Sequence, residues 1–367
     1  MRFQSTYLLS YAAPRAHFKN VLGLFKVEQS TRHVASLAML GICEETSSMD
    51  FGLMIMARGP GGRAPGLTAM ARAAEDGDLD MIAINDHVVV PGDINSAYPY
   101  SNNGVWPGAA VGECLEMVTA GSFIAATTKK IRLLSSVMVV PYRPAVLAAK
   151  MLATLEVLSN GRLTIGCGAG WMKEEADALG VPPFNERGKV TDEYIDAFKE
   201  LWTAKTPSMS GDYVRFDDVV FEPKPLQKPH PPIWIGGEGA AATRRVARVG
   251  DGWYPSNHNP AHLLNTPELY AQGAARLDAA AEKLGRNGAE IHRAYLAFYP
   301  VFKNAADRAG VDRVCLTGSA AAIRDDIGAF AKEGVETIVF SVGGMELSEI
   351  LDNIAWLTGE VLPGAGN

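Results

Sequence analysis

From Phe51 onward, short apolar runs alternate with segments whose apolar residues recur at three- and four-residue spacing. That is the pattern of consecutive strand and helix units and of a parallel sheet. Eight runs read as strands: FGLMIM (51–56), LDMIAIN (79–85), IRLLSSVMVV (131–140), RLTIGCG (162–168), PIWIGG (232–237), DGWYP (251–255), IHRAYLAFYPV (291–301) and ETIVFSV (336–342). The helices between them have legible ends. In RPAVLAAKMLATLEVLSNG, Pro144 stands at the first turn and Gly161 just past the last, and Leu147, Met151, Leu155 and Leu158 are expected to form one stripe facing the sheet. In SAAAIRDDIGAFAKEG, Ser319 is the N-cap, Ile323, Ile327 and Phe330 point inward, and Gly334 stops the helix. Strict alternation favours a closed (β/α)8 TIM barrel over an open doubly wound sheet.

Two segments break the alternation, both between the fourth and fifth strands. One is the loop from Trp171 to Gly188. The other is GDYVRFDDVVFEPKPLQKPHPP, in which YVRF and VVF are expected to pair as a hairpin around Asp217 and Asp218 before five prolines stiffen the approach to strand five. Insertions at the C-terminal rim of a barrel shape its active site or lid. Residues 1–48 show no such period; their one apolar run, VASLAMLGIC, is too short to span a bilayer and too deep for a signal segment. The expectation is that translation starts at Met49, that residues 1–48 are an extension outside the fold, and that residues 49–367 form one barrel domain.

Composition changes this picture only by exclusion. The 367 residues are 47% hydrophobic and 20% charged, with a net charge of −7 and no lysine-rich run, so nucleic acid and membrane are not expected partners. Cys43, Cys114, Cys167 and Cys315 lie far apart without a CxxC pair, which predicts neither a zinc site nor a disulfide framework and fits a reducing cytoplasm. His87, His230 and His258 lack helical ligand spacing, so no metal is expected.

Two glycine clusters carry the candidate chemistry. Gly166, Gly168 and Gly170 end strand four without side chains, so either they relieve crowding in the barrel or they let a flat ring approach the backbone. Gly236, Gly237 and Gly239 lie between strand five and a helix, where free N–H groups and the positive helix end suit a phosphate. This is neither GxGxxG nor a P-loop. Arg244 and Arg245 follow, as phosphate partners or as solvated surface. Tyr98, Tyr100, Trp106 and Tyr254 are placed at the rim, either against an apolar substrate or as cover.

The stretches GCGAGWMKEEADALGVPPFNERGKV, PKPLQKPHPPIWIGGEG, ARVGDGWYP, INDHVVVP and SSVMVVPYRP together resemble the bacterial luciferase-like monooxygenase superfamily, most closely its deazaflavin-using branch, from Met49 to about Leu362. The resemblance implies a (β/α)8 barrel with an insertion between strands four and five, and a flavin-type cofactor at the C-terminal mouth with its phosphate on the strand-five turn. It implies that Asp86 and His87 face the cofactor's reactive edge, with His87 as the proton-handling catalytic residue or a rim residue bonded to backbone. It implies a non-prolyl cis peptide at Ser136-Val137 behind the ring. Gly168, Ala169, Gly170 and Glu174 would border the cofactor, with Trp171 stacked on it or covering the mouth. The expected cofactor is coenzyme F420, with hydride transfer to or from a small organic substrate; the alternative is FMN, as a two-component FMNH2-dependent monooxygenase. Lacking a dinucleotide fingerprint, either enzyme would receive its reduced cofactor from a separate reductase. A homodimer is expected, and a non-catalytic cofactor-binding partner subunit is the alternative of another class.

Overall fold

The computed structural model describes residues 49–108, 113–303 and 313–365. The expected extension at 1–48 lies outside them. Eight parallel strands close a barrel in the order β1, β10, β9, β8, β7, β4, β3, β2. They are β1 (Asp50–Ile55), β2 (Met81–Ile84), β3 (Arg132–Val139), β4 (Leu163–Gly168), β7 (Ile233–Gly236), β8 (Gly252–Tyr254), β9 (His292–Val301) and β10 (Thr337–Val342). Each was expected within two residues of its observed start. The signal is strong because a barrel strand is buried on both faces and therefore reads as an unbroken apolar run. Leu53, Ile82 and Ile84 point outward to the helices, while Met54, Met81 and Ala83 join Leu134, Trp234, Tyr254, Leu296 and Val339 to fill the interior.

The helical shell comprises α1 (Ala64–Asp76), α2 (Met117–Thr127), α3 (Ala145–Leu158), α6 (Ala240–Val249), α7 (Pro267–Glu282), α8 (Ala320–Lys332) and α9 (Leu347–Trp356). In α8, Ser319 caps Ala322 N, Ile323, Ile327 and Phe330 are buried, and Gly334 takes φ +84°, all as the pattern predicts. In α3 the expected stripe is corrected. Leu155 is buried and Met151 partly so, as expected, but Leu147 is 53% exposed and Leu158 62%, whereas Ala145, Ala148, Ala149, Leu152 and Ala153 are buried. The barrel packs closely against this helix and selects its alanine face, because small side chains allow a short helix-to-sheet distance.

The insertion between β4 and β7 holds α4 (Lys173–Leu179), α5 (Arg187–Thr203) and a two-stranded hairpin. That hairpin pairs β5 (Met209–Ser210) with β6 (Arg215–Phe216), so it turns at Gly211–Val214 and not at Asp217–Asp218. Glu193 explains the shift, since its carboxylate accepts from the N–H groups of Asp212, Tyr213 and Val214. A second long segment, expected at the rim only through Tyr98, Tyr100 and Trp106, separates β2 from α2 between Asn85 and Glu116. No helix among the described residues is long and apolar enough to cross a membrane.

Candidate active site

β2 ends in Asn85, Asp86 and His87, and alternation along the chain sends the last two to opposite sides. Asp86 turns into the wall. Its Oδ1 and Oδ2 each accept from Arg143 at 2.8 Å, Oδ2 also accepts from Val139 N at 2.9 Å, and the side chain is fully buried. Arg143 further donates to Glu116 at 2.6 Å. Burial alone would lower the Arg143 pKa, but the bonds to Asp86 and Glu116 raise it above its ordinary value. Asp86 thus anchors the ends of β2 and β3, with both oxygens committed to that wall.

His87 turns to the mouth. Its Nδ1 lies 2.8 Å from Oε2 of Glu175, a carboxylate with no solvent exposure, and the ring packs 4.6 Å from Trp106. The other Glu175 oxygen accepts from Val88 N at 2.7 Å and Val89 N at 3.1 Å, and Tyr142 donates its hydroxyl to Oε2 at 3.1 Å. Burial, and then the adjacent Glu175 charge, push the Tyr142 phenol well above its usual range. A carboxylate against Nδ1 fixes that nitrogen as the donor and leaves Nε2 as the proton-exchanging atom.

Glu174 and Glu175, adjacent in the first turn of α4, sew the strand-four loop to the strand-two segment. Glu174 Oε1 accepts from Asn95 N and Ser96 N, and Lys173 N donates to Ser96 Oγ. Above them Trp171 packs edge-on to Tyr98 at 5.0 Å and to Trp106 at 5.9 Å, so it belongs to an aromatic cover over the mouth. Arg187 closes the far end of the loop by donating to the Gly170 carbonyl at 3.0 Å.

On the neighbouring strand β3, Ser136-Val137 is a non-prolyl cis peptide, and the register between β3 and β4 shifts between Ser135 and Met138. Ser136 Oγ lies 3.0 Å from Tyr254 OH, which places Tyr254 inside the barrel and corrects its expected position on the rim. Val137 accounts for two of the glycines. A Cβ on Gly168 would meet it at 2.6 Å and one on Gly236 at 2.8 Å, while Gly166 faces the Ser135 carbonyl at 2.1 Å. The relief of crowding is therefore real, and the Val137 side chain and the Ser135 carbonyl are its source. Ala169 and Gly170 follow on the same wall, Gly170 at φ +81°.

At the strand-five turn Gly237 adopts φ +113° and Gly239 is the N-cap of α6, a helix whose first N–H groups receive no side-chain cap. Those donors fit a phosphate. Arg245 is not available to it, being buried against Asp192 at 2.6 Å; Arg244 is exposed. Between the glycines sits Glu238, buried, with its carboxylate held by Ser256 N at 2.8 Å and Asn259 Nδ2 at 2.7 Å. Burial pushes its pKa up further than those bonds pull it down.

The described residues contain seven buried side-chain polar atoms without a partner, and four lie on rim loops: Ser101 Oγ, Glu174 Oε2, Asn257 Nδ2 and His258 Nδ1. Buried groups seldom stay unsatisfied, so this concentration marks the mouth as a place for a polar ligand. Among the described residues no cluster of three or more His, Cys, Asp or Glu could hold a metal. Glu175, Tyr142, Arg143 and Glu238 escaped the sequence reading. The one available signal was the acidic pair Glu174-Glu175, since a single carboxylate suffices to serve a helix start.

A family profile described as luciferase-like monooxygenase matches residues 49–309. The chain is 37% identical over 180 residues to an FMNH2-dependent dimethylsulfone monooxygenase of Pseudomonas putida, covering 48% of this chain and 49% of that protein. It thus spans about half the length of that relative. Two solved structures share the fold. A coenzyme F420-dependent tetrahydromethanopterin reductase from Methanopyrus kandleri aligns with TM-score 0.67 and 16% identity over 87% of this chain and 99% of that one. The oxygenating constituent of 3,6-diketocamphane monooxygenase from Pseudomonas putida, in complex with FMN, aligns with TM-score 0.65 and 15% identity over 86% and 98%.

Proposed function

The chain belongs to the luciferase-like monooxygenase family, and from that premise we propose that it is the oxygenating component of a two-component system. In this reading a small organic substrate is oxidised at the barrel mouth with reduced FMN delivered by a separate reductase. The observation that carries the reading is the His87 and Glu175 pair, on the same C-terminal end of the barrel as an uncapped helix start, where catalytic groups of this fold gather. Identity of 37% to an FMNH2-dependent enzyme weighs more for the cofactor than the 16% shared with an F420 enzyme. The deazaflavin reading rests on the motif resemblance and stands second.

The bound cofactor would supply electrons for oxygen activation, or a hydride if it is a deazaflavin. The backbone at Gly236, Gly237 and Gly239 would hold its phosphate, and Ser136, Val137, Gly168, Ala169 and Gly170 would wall its ring. His87 Nε2 gives or takes the substrate's proton while Glu175 keeps Nδ1 protonated and the ring oriented. Trp106, Trp171 and Tyr98 shed water from the site, which strengthens each polar contact inside it.

The test is an anaerobic titration of the purified chain with reduced FMN and reduced F420, followed by turnover under labelled oxygen. Binding of reduced FMN and label in the product support the proposal. Binding of reduced F420 alone would transfer it to the deazaflavin reading, and binding of neither would favour a non-catalytic partner subunit.

A further inference from the structure

Arg58 lies just beyond β1 on the barrel mouth, half-buried, with its guanidinium carbon 5.7 Å from the Trp106 ring centroid. Trp106 is the same ring that packs on His87. The Arg58 side chain donates no hydrogen bond to any described residue, and no described carboxylate pairs with it. The other charges nearby are committed: Arg63 pairs with Glu113, Arg143 with Asp86 and Glu116, and Glu175 with His87. Leaving a cation half-buried without a partner is costly unless something else completes it. Burial accordingly lowers the Arg58 pKa, with Cys114 and Tyr98 opposing that effect.

Gly108 packs its backbone against this cation. A Cβ there would lie 2.2 Å from Arg58 Nη1 and 2.4 Å from the Trp106 ring, so any other residue would push the guanidinium from its place beside the ring. The neighbouring walls are aromatic: Trp171 packs on both Tyr98 and Trp106 with ring centroids within 6 Å. A planar fork of donors beside flat apolar surfaces suits a ligand with an oxyanion at one end and an apolar body.

We propose that Arg58 is the substrate-recognising residue of this mouth, selecting small organic acids whose carboxylate or equivalent oxyanion pairs with its guanidinium while the apolar body lies against Trp106, Trp171 and Tyr98. This rests on the reading of the mouth as the active site and adds the chemical class of the substrate. It also gives His87 a defined neighbour, since an acid held at Arg58 would touch the same Trp106 ring that packs on the imidazole.

The test compares benzoate with benzamide, which match in shape and differ in charge, by titration calorimetry on the full chain with and without reduced FMN. Wild type should bind benzoate at least tenfold more tightly than benzamide, the scale expected of a charge-assisted pair. Arg58→Gln should erase that preference while leaving benzamide affinity within about twofold, and Arg58→Lys should keep part of it. Gly108→Leu, which collides with Nη1 and shifts the guanidinium without removing the charge, should also lose it. Equal binding of the two probes by wild type, no binding of benzoate, or an unchanged preference in Arg58→Gln would overturn the proposal. A chain that prefers benzoate but binds neither reduced FMN nor reduced F420 would retain the acid site and refute the proposed function.

Discussion

Asp86 and His87 are consecutive, yet they serve opposite regions of the molecule. On the wall side, Asp86, Arg143 and Glu116 form an ion network whose first two members are almost wholly excluded from water. On the mouth side, His87 meets Glu175 under an aromatic cover, with 15% of its side chain still exposed. In the wall every charge is answered by an opposite charge or a backbone donor. At the mouth unpartnered polar atoms collect, and no described carboxylate pairs with Arg58. The difference is that between a structure complete by itself and one that awaits a ligand. Stability should follow the first region, and turnover the second.

The sharpest way to break that division is Arg143→Met. It strands the buried Asp86 charge and should cost about 3 to 5 kcal/mol of unfolding free energy, read from urea denaturation. A loss below about 1 kcal/mol would mean that the wall does not depend on this pair. At the mouth, His87→Asn keeps a hydrogen-bonding side chain but cannot exchange a proton near neutral pH. Turnover should fall roughly 10²-fold with cofactor affinity retained, and Glu175→Gln should slow it by about tenfold. Single-turnover rates over a pH range measure both; if His87→Asn matches wild type at every pH, the imidazole is only part of the rim.

Glu238 sharpens the comparison because it is a buried carboxylate without a cation. Burial raises its pKa, so the folded state favours the protonated form. Its contribution to stability is then fully present below the ordinary glutamate value of 4.5 and is lost as pH rises through the folded pKa. Glu238→Gln has no charge to bury and should gain on wild type as pH rises above 4.5. Melting curves across that range decide the matter, and a gap that narrows with rising pH would reverse the assignment. The smallest expected effect belongs to neither region. Leu147→Ser on the exposed face of α3 should change stability by less than about 0.5 kcal/mol, and a larger loss would show that this face is covered in solution.

The barrel was legible along the chain because its strands are buried on both faces. Phe51 to Ile55 and Thr337 to Val342 are apolar whichever way each residue points, so no partner had to be known. Glycine pairs and Ser319 marked turns and caps for similarly local reasons. The α3 stripe held only at Leu155 and, in part, Met151, because the leucines and alanines of this helix are spread round it and packing against the barrel takes the alanines inside while Leu147 and Leu158 stay out. The hairpin failed because Glu193, far along α5, supplies the acceptor that selects its turn.

For this protein, then, the residues in order determined the eight strands, the closed barrel and the two glycine turns, each set by backbone geometry and burial within a few neighbours. Tertiary structure alone decided the division of labour at the mouth. Asp86 meets Arg143 across 57 residues, His87 meets Glu175 across 88, and Ser136 meets Tyr254 across 118. The physical reason is that a side chain's charge and hydrogen bonds act over a few ångströms of space. Sequence distance carries no record of which residues the closure of the barrel brings that near.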